Sequence, residues 1–244
     1  MDLQSFSASF VRIFARNGLD AYTDQRMIDA FFRLTERMLA VNDYMNLTAI
    51  TEQDAVILRH YADSLTAIPY LPQGARVVDI GCGAGFPSLP LAIARPDLQI
   101  LALDSTAKRI QYVSETAKML GLTNLTAVSC RAEDGAAVGG AYRESFDCAV
   151  SRAVANLPVL CELCLPYVRV GGRFVAMKAS QAMQETSVSH RAIETLGGKL
   201  VDVVSSELKT EDGVEERNLV LIEKIGRTPK NYPRNYAQIK KKPL

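Results

Sequence analysis

The chain has 244 residues, 48% of them hydrophobic, and a formal net charge of +1 at neutral pH. That length suits one large α/β domain with an appendage, and the surface it can bury lets it fold without disulfide staples. The near-zero charge excludes nucleic-acid binding through the overall field. Five cysteines, an odd number scattered through apolar stretches, exclude a disulfide framework and point to a reducing compartment.

The first twenty residues carry Asp2, Arg12, Arg16 and Asp20 and have no continuous apolar core of signal-peptide length. No stretch approaches the roughly 20 apolar residues of a membrane span, so the expected location is the cytoplasm. Residues 1–74 read as a helical subdomain. Phe6, Phe10, Ile13 and Phe14 recur at helical spacing, as do Met27, Phe31, Leu34, Met38 and Val41. Thr23 and Asp24 supply a cap and an acidic first turn for the second helix, and a third is expected from Glu52 to Ile68, ending near Pro69.

From Ala75 the texture changes. Short apolar runs (Arg76–Ile80, Gln99–Asp104, Leu125–Cys130, Phe146–Ser151, Arg173–Lys178, Lys199–Ser205 and Asn218–Lys224) alternate with helical stretches at Pro87–Ala94, Thr106–Leu120, Leu157–Val168 and Gln181–Leu196. Alternation of this kind predicts parallel βαβ units in a Rossmann-like, doubly wound sheet spanning residues 75–225. Thr210–Gly213 is too short for a crossover helix, so the last two runs form a hairpin and one of the seven strands is antiparallel. Residues 226–244 form a basic tail. From Ile225 onward there are six basic residues and no acidic ones, leaving −5 on the first 224. This tail reads equally as an RNA-facing patch or as a solvated, disordered terminus.

The segment Val77–Pro87 carries the chemistry. A strand ends at Asp79, glycines follow at 81, 83 and 85, and Pro87 opens a helix. Glycines let the backbone turn tightly and approach a ligand, and a helix start offers free N–H groups. The dinucleotide fingerprint G-x-G-x-x-G needs a third glycine where Phe86 stands. The spacing D-x-G-x-G-x-G, with a carboxylate before the first glycine, repels a pyrophosphate and suits a cofactor bearing an ammonium and a sulfonium. It resembles the first motif of the class I, Rossmann-like methyltransferases, whose cofactor is S-adenosylmethionine. Asp104 closes the next strand, where a carboxylate takes ribose hydroxyls, and Ser105 follows it. Arg131-Ala132-Glu133, after the third strand, is placed to lie beside the adenine; Glu133 also reads as a solvated loop charge.

Three cations, Arg131, Arg152 and Lys178, fall at strand ends on the ligand edge. Such a trio repels itself unless an anion such as RNA phosphate is expected, although each alone also reads as half of an ion pair. The fourth strand is followed by Ser151-Arg152-Ala153-Val154 rather than D/N-P-P-Y/F/W, which argues against methylation of an exocyclic amine. No Pro-Cys nucleophile motif is present, which disfavours carbon-5 pyrimidine chemistry. The lone C-x-x-C at Cys161 and Cys164 reads as core rather than metal. A guanine N7 needs no such equipment. It carries a lone pair and no proton, so alignment without a general base suffices, with the cations expected to stabilise charge developing on the base.

Met45–Ile50, Arg59–Ser64, Asp79–Pro90, Leu103–Ser105, Lys108-Arg109, Arg131–Glu133, Ser151–Ala153 and Leu165-Pro166 together resemble the bacterial 16S rRNA guanine-N7 methyltransferase family, methyltransferase G or glucose-inhibited division protein B. The resemblance covers roughly Asn42 to Ile225. It implies S-adenosylmethionine as cofactor and a guanine N7 in the decoding-region loop of 16S rRNA as substrate, met free, in the small subunit or in an assembly particle. It implies cofactor contacts at Gly81, Phe86, Ala132, Glu133 and Arg152, with His60, Asp63 and Lys178 near the site. A monomer without metal or membrane partner is expected. The rivals are another Rossmann enzyme, either a nicotinamide oxidoreductase or a small-molecule methyltransferase, and a non-catalytic rRNA-binding assembly module.

Overall fold

The computed structural model describes residues 2–179 and 182–244. Helix α1, Leu3–Arg16, is capped by the Asp2 carboxylate and buries Phe6, Phe10, Ile13 and Phe14, the stripe that its periodicity predicts. Helix α2, Gln25–Met45, is capped by Asp24 itself, whose carboxylate accepts the Met27 N–H at 2.8 Å. The expected third helix is a composite. Helix α3, Gln53–Val56, passes through a π-helical turn, Ile57–Ala62, into helix α4, Asp63–Leu65. Pro69 lies in a separate 3₁₀ turn, Ile68–Tyr70. A π turn adds one residue to the helical circuit and is frequent at functional sites; here it carries His60 and leads directly to Asp63.

The remaining elements are β1 Arg76–Ile80, α5 Ser88–Ala94, β2 Gln99–Asp104, α6 Ala107–Leu120, β3 Leu125–Ser129, α7 Ala132–Gly135, β4 Phe146–Arg152, α8 Leu157–Cys164, β5 Val168–Lys178, α9 Ala182–Ser187, α10 His190–Thr195, β6 Gly198–Lys209, β7 Val214–Lys224 and α11 Tyr236–Lys241. The last expected helical stretch is thus split in two, and its first residue, Gln181, lies outside the described residues.

The seven strands are ordered β3-β2-β1-β4-β5-β7-β6, and β7 runs antiparallel to both of its neighbours. The Rossmann-like sheet with one antiparallel strand is therefore as the pattern predicts. Alternate residues feed two cores. Val77, Ile100, Cys148 and Val150 pack with the N-terminal helices, whereas Val78, Leu101, Ala149 and Phe174 pack with α8 and α10. Strand order reverses between β1 and β4, where a doubly wound sheet opens a crevice beyond the strands' carboxyl ends.

The hairpin turn closes with the Thr210 N–H on the Gly213 carbonyl at 2.9 Å. Its strands run longer than their apolar runs because the polar ends find distant partners. Asn17 exchanges hydrogen bonds with the Lys209 backbone, Arg12 pairs with Glu211, and Arg59 pairs with Glu215.

The basic tail departs from the solvated alternative. Ile239 is fully buried in the core that α8 lines, where α11 packs against that helix. Arg234 clasps the fully buried Glu162 carboxylate, Nη2 to Oε2 at 2.6 Å. Those acids and apolar residues lie upstream, so the tail's own composition does not reveal them.

Candidate functional site

A cavity of about 500 Å³ opens at the carboxyl ends of β1, β2 and β3. The glycine corner forms its floor. Gly81, Gly83 and Gly85 all have positive φ (75°, 55° and 87°), which explains the residue type. The N–H groups of Gly81 and Cys82 donate to the Leu103 carbonyl at 2.8 and 3.0 Å, tying the corner to β2. Asp104 completes the tie, accepting the Gly83 N–H at 3.1 Å and the Thr106 N–H at 2.8 Å. Gly81, Gly83, Phe86, Asp104 and Ser105 line this cavity, and so do Arg131, Ala132, Glu133, His60 and Arg152.

Two members of the glycine motif do not reach the cavity. Asp79 is fully buried; its Oδ2 accepts the Ser88 N–H at 3.1 Å and the Ser88 hydroxyl, so it clamps the start of α5 from beneath. That helix begins at Ser88, one residue later than expected, with Pro87 in the capping position. Burial pushes the Asp79 carboxyl up to about 7, against the opposing pull of the Ser88 hydrogen bonds and the more distant Arg152 charge. Its Oδ1 is buried with no partner among the described residues. Gly85 serves packing instead, since a Cβ there would lie 2.5 Å from Leu89 Cδ1.

A second cavity, of about 640 Å³, shares His60, Arg152 and Ala153 with the first. Arg152 is the hinge between them. Its Nη1 donates to Asp63 Oδ2 at 2.8 Å and to the Arg59 carbonyl at 2.7 Å, and its guanidinium lies 5.3 Å from the Phe86 ring centroid. His60 stacks on Phe86, centroids 4.4 Å apart and planes 10° from parallel, with Nε2 2.9 Å from the Thr48 hydroxyl. Burial, reinforced by the Arg152 charge, lowers His60 to about 3, so the ring is neutral at physiological pH. Asp63 also accepts Arg217 Nε at 3.1 Å, and Arg217 pairs in turn with Glu215 at 2.9 Å.

Arg217 is the residue that pattern reading missed. It stands just outside the apolar run that begins at Asn218, and a lone arginine beside acids gives no signal of its partner 154 residues away. The expectation of a self-repelling cationic trio awaiting an anion also needs correction. Arg152 is paired with Asp63, and Lys178 with Glu185 at 2.7 Å, through carboxylates supplied by α4 and α9. Lys178 lines the second cavity rather than the first, and its ammonium also donates to the Ala155 carbonyl at 2.6 Å, holding the loop after β4. Arg131 is the most open of the three, 3.8 Å from Glu133. Cys161 and Cys164 are buried on α8, and no metal-holding group of side chains occurs among the described residues.

A family model described as GidB, rRNA small subunit methyltransferase G, matches residues 27–220. A protein of Limosilactobacillus fermentum named Ribosomal RNA small subunit methyltransferase G is 46% identical over 228 residues, covering 92% of this chain and 93% of the relative. Its namesake from Brevibacillus brevis is 45% identical over 238 residues, covering 96% and 98%. Among solved structures, M. jannaschii TYW2 in complex with AdoMet superposes with a TM-score of 0.55 at 18% identity, covering 72% of this chain and 80% of that one, a likeness of fold.

Proposed function

The chain belongs to the rRNA small subunit methyltransferase G family, and from that premise we infer how its two cavities divide the work of an S-adenosylmethionine-dependent 16S rRNA guanine-N7 methyltransferase. When bound, S-adenosylmethionine supplies a methyl cation equivalent to the N7 lone pair, leaving a neutral thioether and a positive charge on the base. The residues present fit such a group. The first cavity has a floor of positive-φ glycines and two rim carboxylates, Asp104 and Glu133. Its volume lies in the ordinary range for small-ligand sites.

The observation that carries this reading is the shared wall. His60, Arg152 and Ala153 border both cavities, so a guanine held in the second would face a cofactor held in the first. In this reading Arg152 and Arg217 orient the base through its O6 acceptor, which leaves the N7 lone pair free for the methyl group. Cations do not stabilise the alkylated base, contrary to the expectation from the strand-end residues. The base gains positive charge, so Asp63 is the group whose sign suits it, and the two arginines hold that carboxylate in place. No proton leaves N7, and the neutral His60 is not required as a base. Alignment by rigid, mutually paired side chains supplies the acceleration.

The same reading takes the enzyme to be a cytoplasmic monomer that meets 16S rRNA free, in the small subunit or in an assembly particle. Among the described residues no helix is long and apolar enough to cross a membrane. The test is to incubate the protein with methyl-labelled cofactor and unmodified small-subunit RNA or particles, then map the label. A single modified guanine N7 is expected. Label confined to another atom would defeat the substrate assignment while leaving the cofactor assignment standing.

A further inference from the structure

The region matched by the family model ends at residue 220, yet the C-terminal segment beyond it is anchored to the rest of the protein at many points. The Arg143 guanidinium donates to the carbonyls of Thr228 at 2.7 Å, Pro229 at 3.2 Å and Tyr232 at 2.8 Å. The buried Lys224 ammonium donates to the Leu165 carbonyl at 2.7 Å and to the Thr228 hydroxyl. Arg234 then locks onto the buried Glu162, and the Asn235 side chain caps α11 by accepting the Gln238 N–H at 3.0 Å. The buried Ile239 seats that helix on α8. Anchors of this density are wasted on a tail that merely carries positive charge to RNA. Together they hold α11 on α8, and Tyr236, the first residue of α11, lines the cofactor cavity, as does Leu163 of α8.

The cavities decide which end of the cofactor this ring meets. The methyl end must face the wall shared with the second cavity, near the end of β4. The nucleoside therefore extends toward the ends of β2 and β3, where Asp104 and Arg131–Glu133 stand. Helix α7, which begins at Ala132, packs against α8, the helix that holds Leu163 and supports α11. Resting on the assignment of this cavity to S-adenosylmethionine, we propose that Tyr236 is a cofactor-binding residue that lies against the purine, and that the C-terminal segment is a wall of the cofactor site. A phenol ring presents an apolar face to a flat base and keeps its hydroxyl toward solvent; the residue is 36% exposed, so the face has room to make that contact.

The experiment is calorimetric titration of the full chain with S-adenosylhomocysteine and, separately, with adenosine. Tyr236→Ala should weaken both by the same factor, about tenfold, as loss of one base–aromatic contact does. Tyr236→Phe, which keeps the ring, should bind both as the unaltered protein does. Wild-type affinity for both ligands in Tyr236→Ala would overturn the proposal, and so would a loss confined to S-adenosylhomocysteine. If Tyr236→Ala also lowers the melting temperature, Tyr236→Leu decides, because it restores apolar bulk without a ring. Weak binding by the leucine variant supports the purine contact and tight binding refutes it. Failure of the unaltered protein to bind S-adenosylhomocysteine would instead defeat the cofactor assignment and the proposal with it.

Discussion

Replacing Asp79 by asparagine should stabilise the protein at alkaline pH. The carboxyl is fully buried, one oxygen has no partner among the described residues, and burial lifts it from an ordinary 3.8 to about 7. Because the folded value lies above the unfolded one, the group's contribution is most favourable below pH 4 and is lost as the pH rises through 7. Linkage across that interval puts the swing between pH 5 and pH 8 at about 3 kcal/mol. For a chain of this size, that is roughly 6–12 °C in melting temperature. An asparagine carries no charge to desolvate and still offers an oxygen to the Ser88 N–H, so its curve should lack the swing. Thermal melts of both proteins at pH 5 and pH 8 measure the difference of differences, in which every other titrating group cancels. An identical gap between the two proteins at both pH values would refute the claim that this carboxylate is held against its preference.

Three further outcomes rest on the same geometry. Arg152→Ala should lower kcat/KM by on the order of 10²-fold with the fold retained, because the Asp63 carboxylate keeps only Arg217 and loses its fixed position; wild-type turnover would remove Arg152 from the site. His60, held near 3, must take up a proton on unfolding below pH 6.5, so it subtracts stability as the pH falls. Denaturant titrations should therefore show His60→Gln gaining about 2 kcal/mol on the parent between pH 7.5 and pH 5, and a rate profile should show no acid limb near 6.5 from this ring. Gly85→Ala places a methyl group 2.5 Å from Leu89 at a φ of 87°. Overpacking and backbone strain together should cost about 2 kcal/mol, read as a melting temperature lower by roughly 4–8 °C.

Much of this architecture is visible along the chain because its causes are local. The stripe Phe6, Phe10, Ile13, Phe14 is buried because a helix brings those positions to one side. The apolar runs and the four-residue turn at 210–213 fix the strand count and the antiparallel β7 because no crossover fits there. The glycines at 81 and 83 announce themselves because a positive φ at a strand-to-helix corner favours a residue without Cβ. What the chain order conceals is who neutralises whom. Asp63 meets Arg152 across 89 residues and Arg217 across 154, Arg234 meets Glu162 across 72, and Tyr236 joins the lining of the first cavity. Even Asp79, conspicuous as a motif, changes from a ligand's counter-charge to a clamp on its own helix once depth is known. Periodicity and backbone preference act between covalent neighbours and can be read in one dimension. Burial and ion pairing act through space, and only the folded chain assigns their partners.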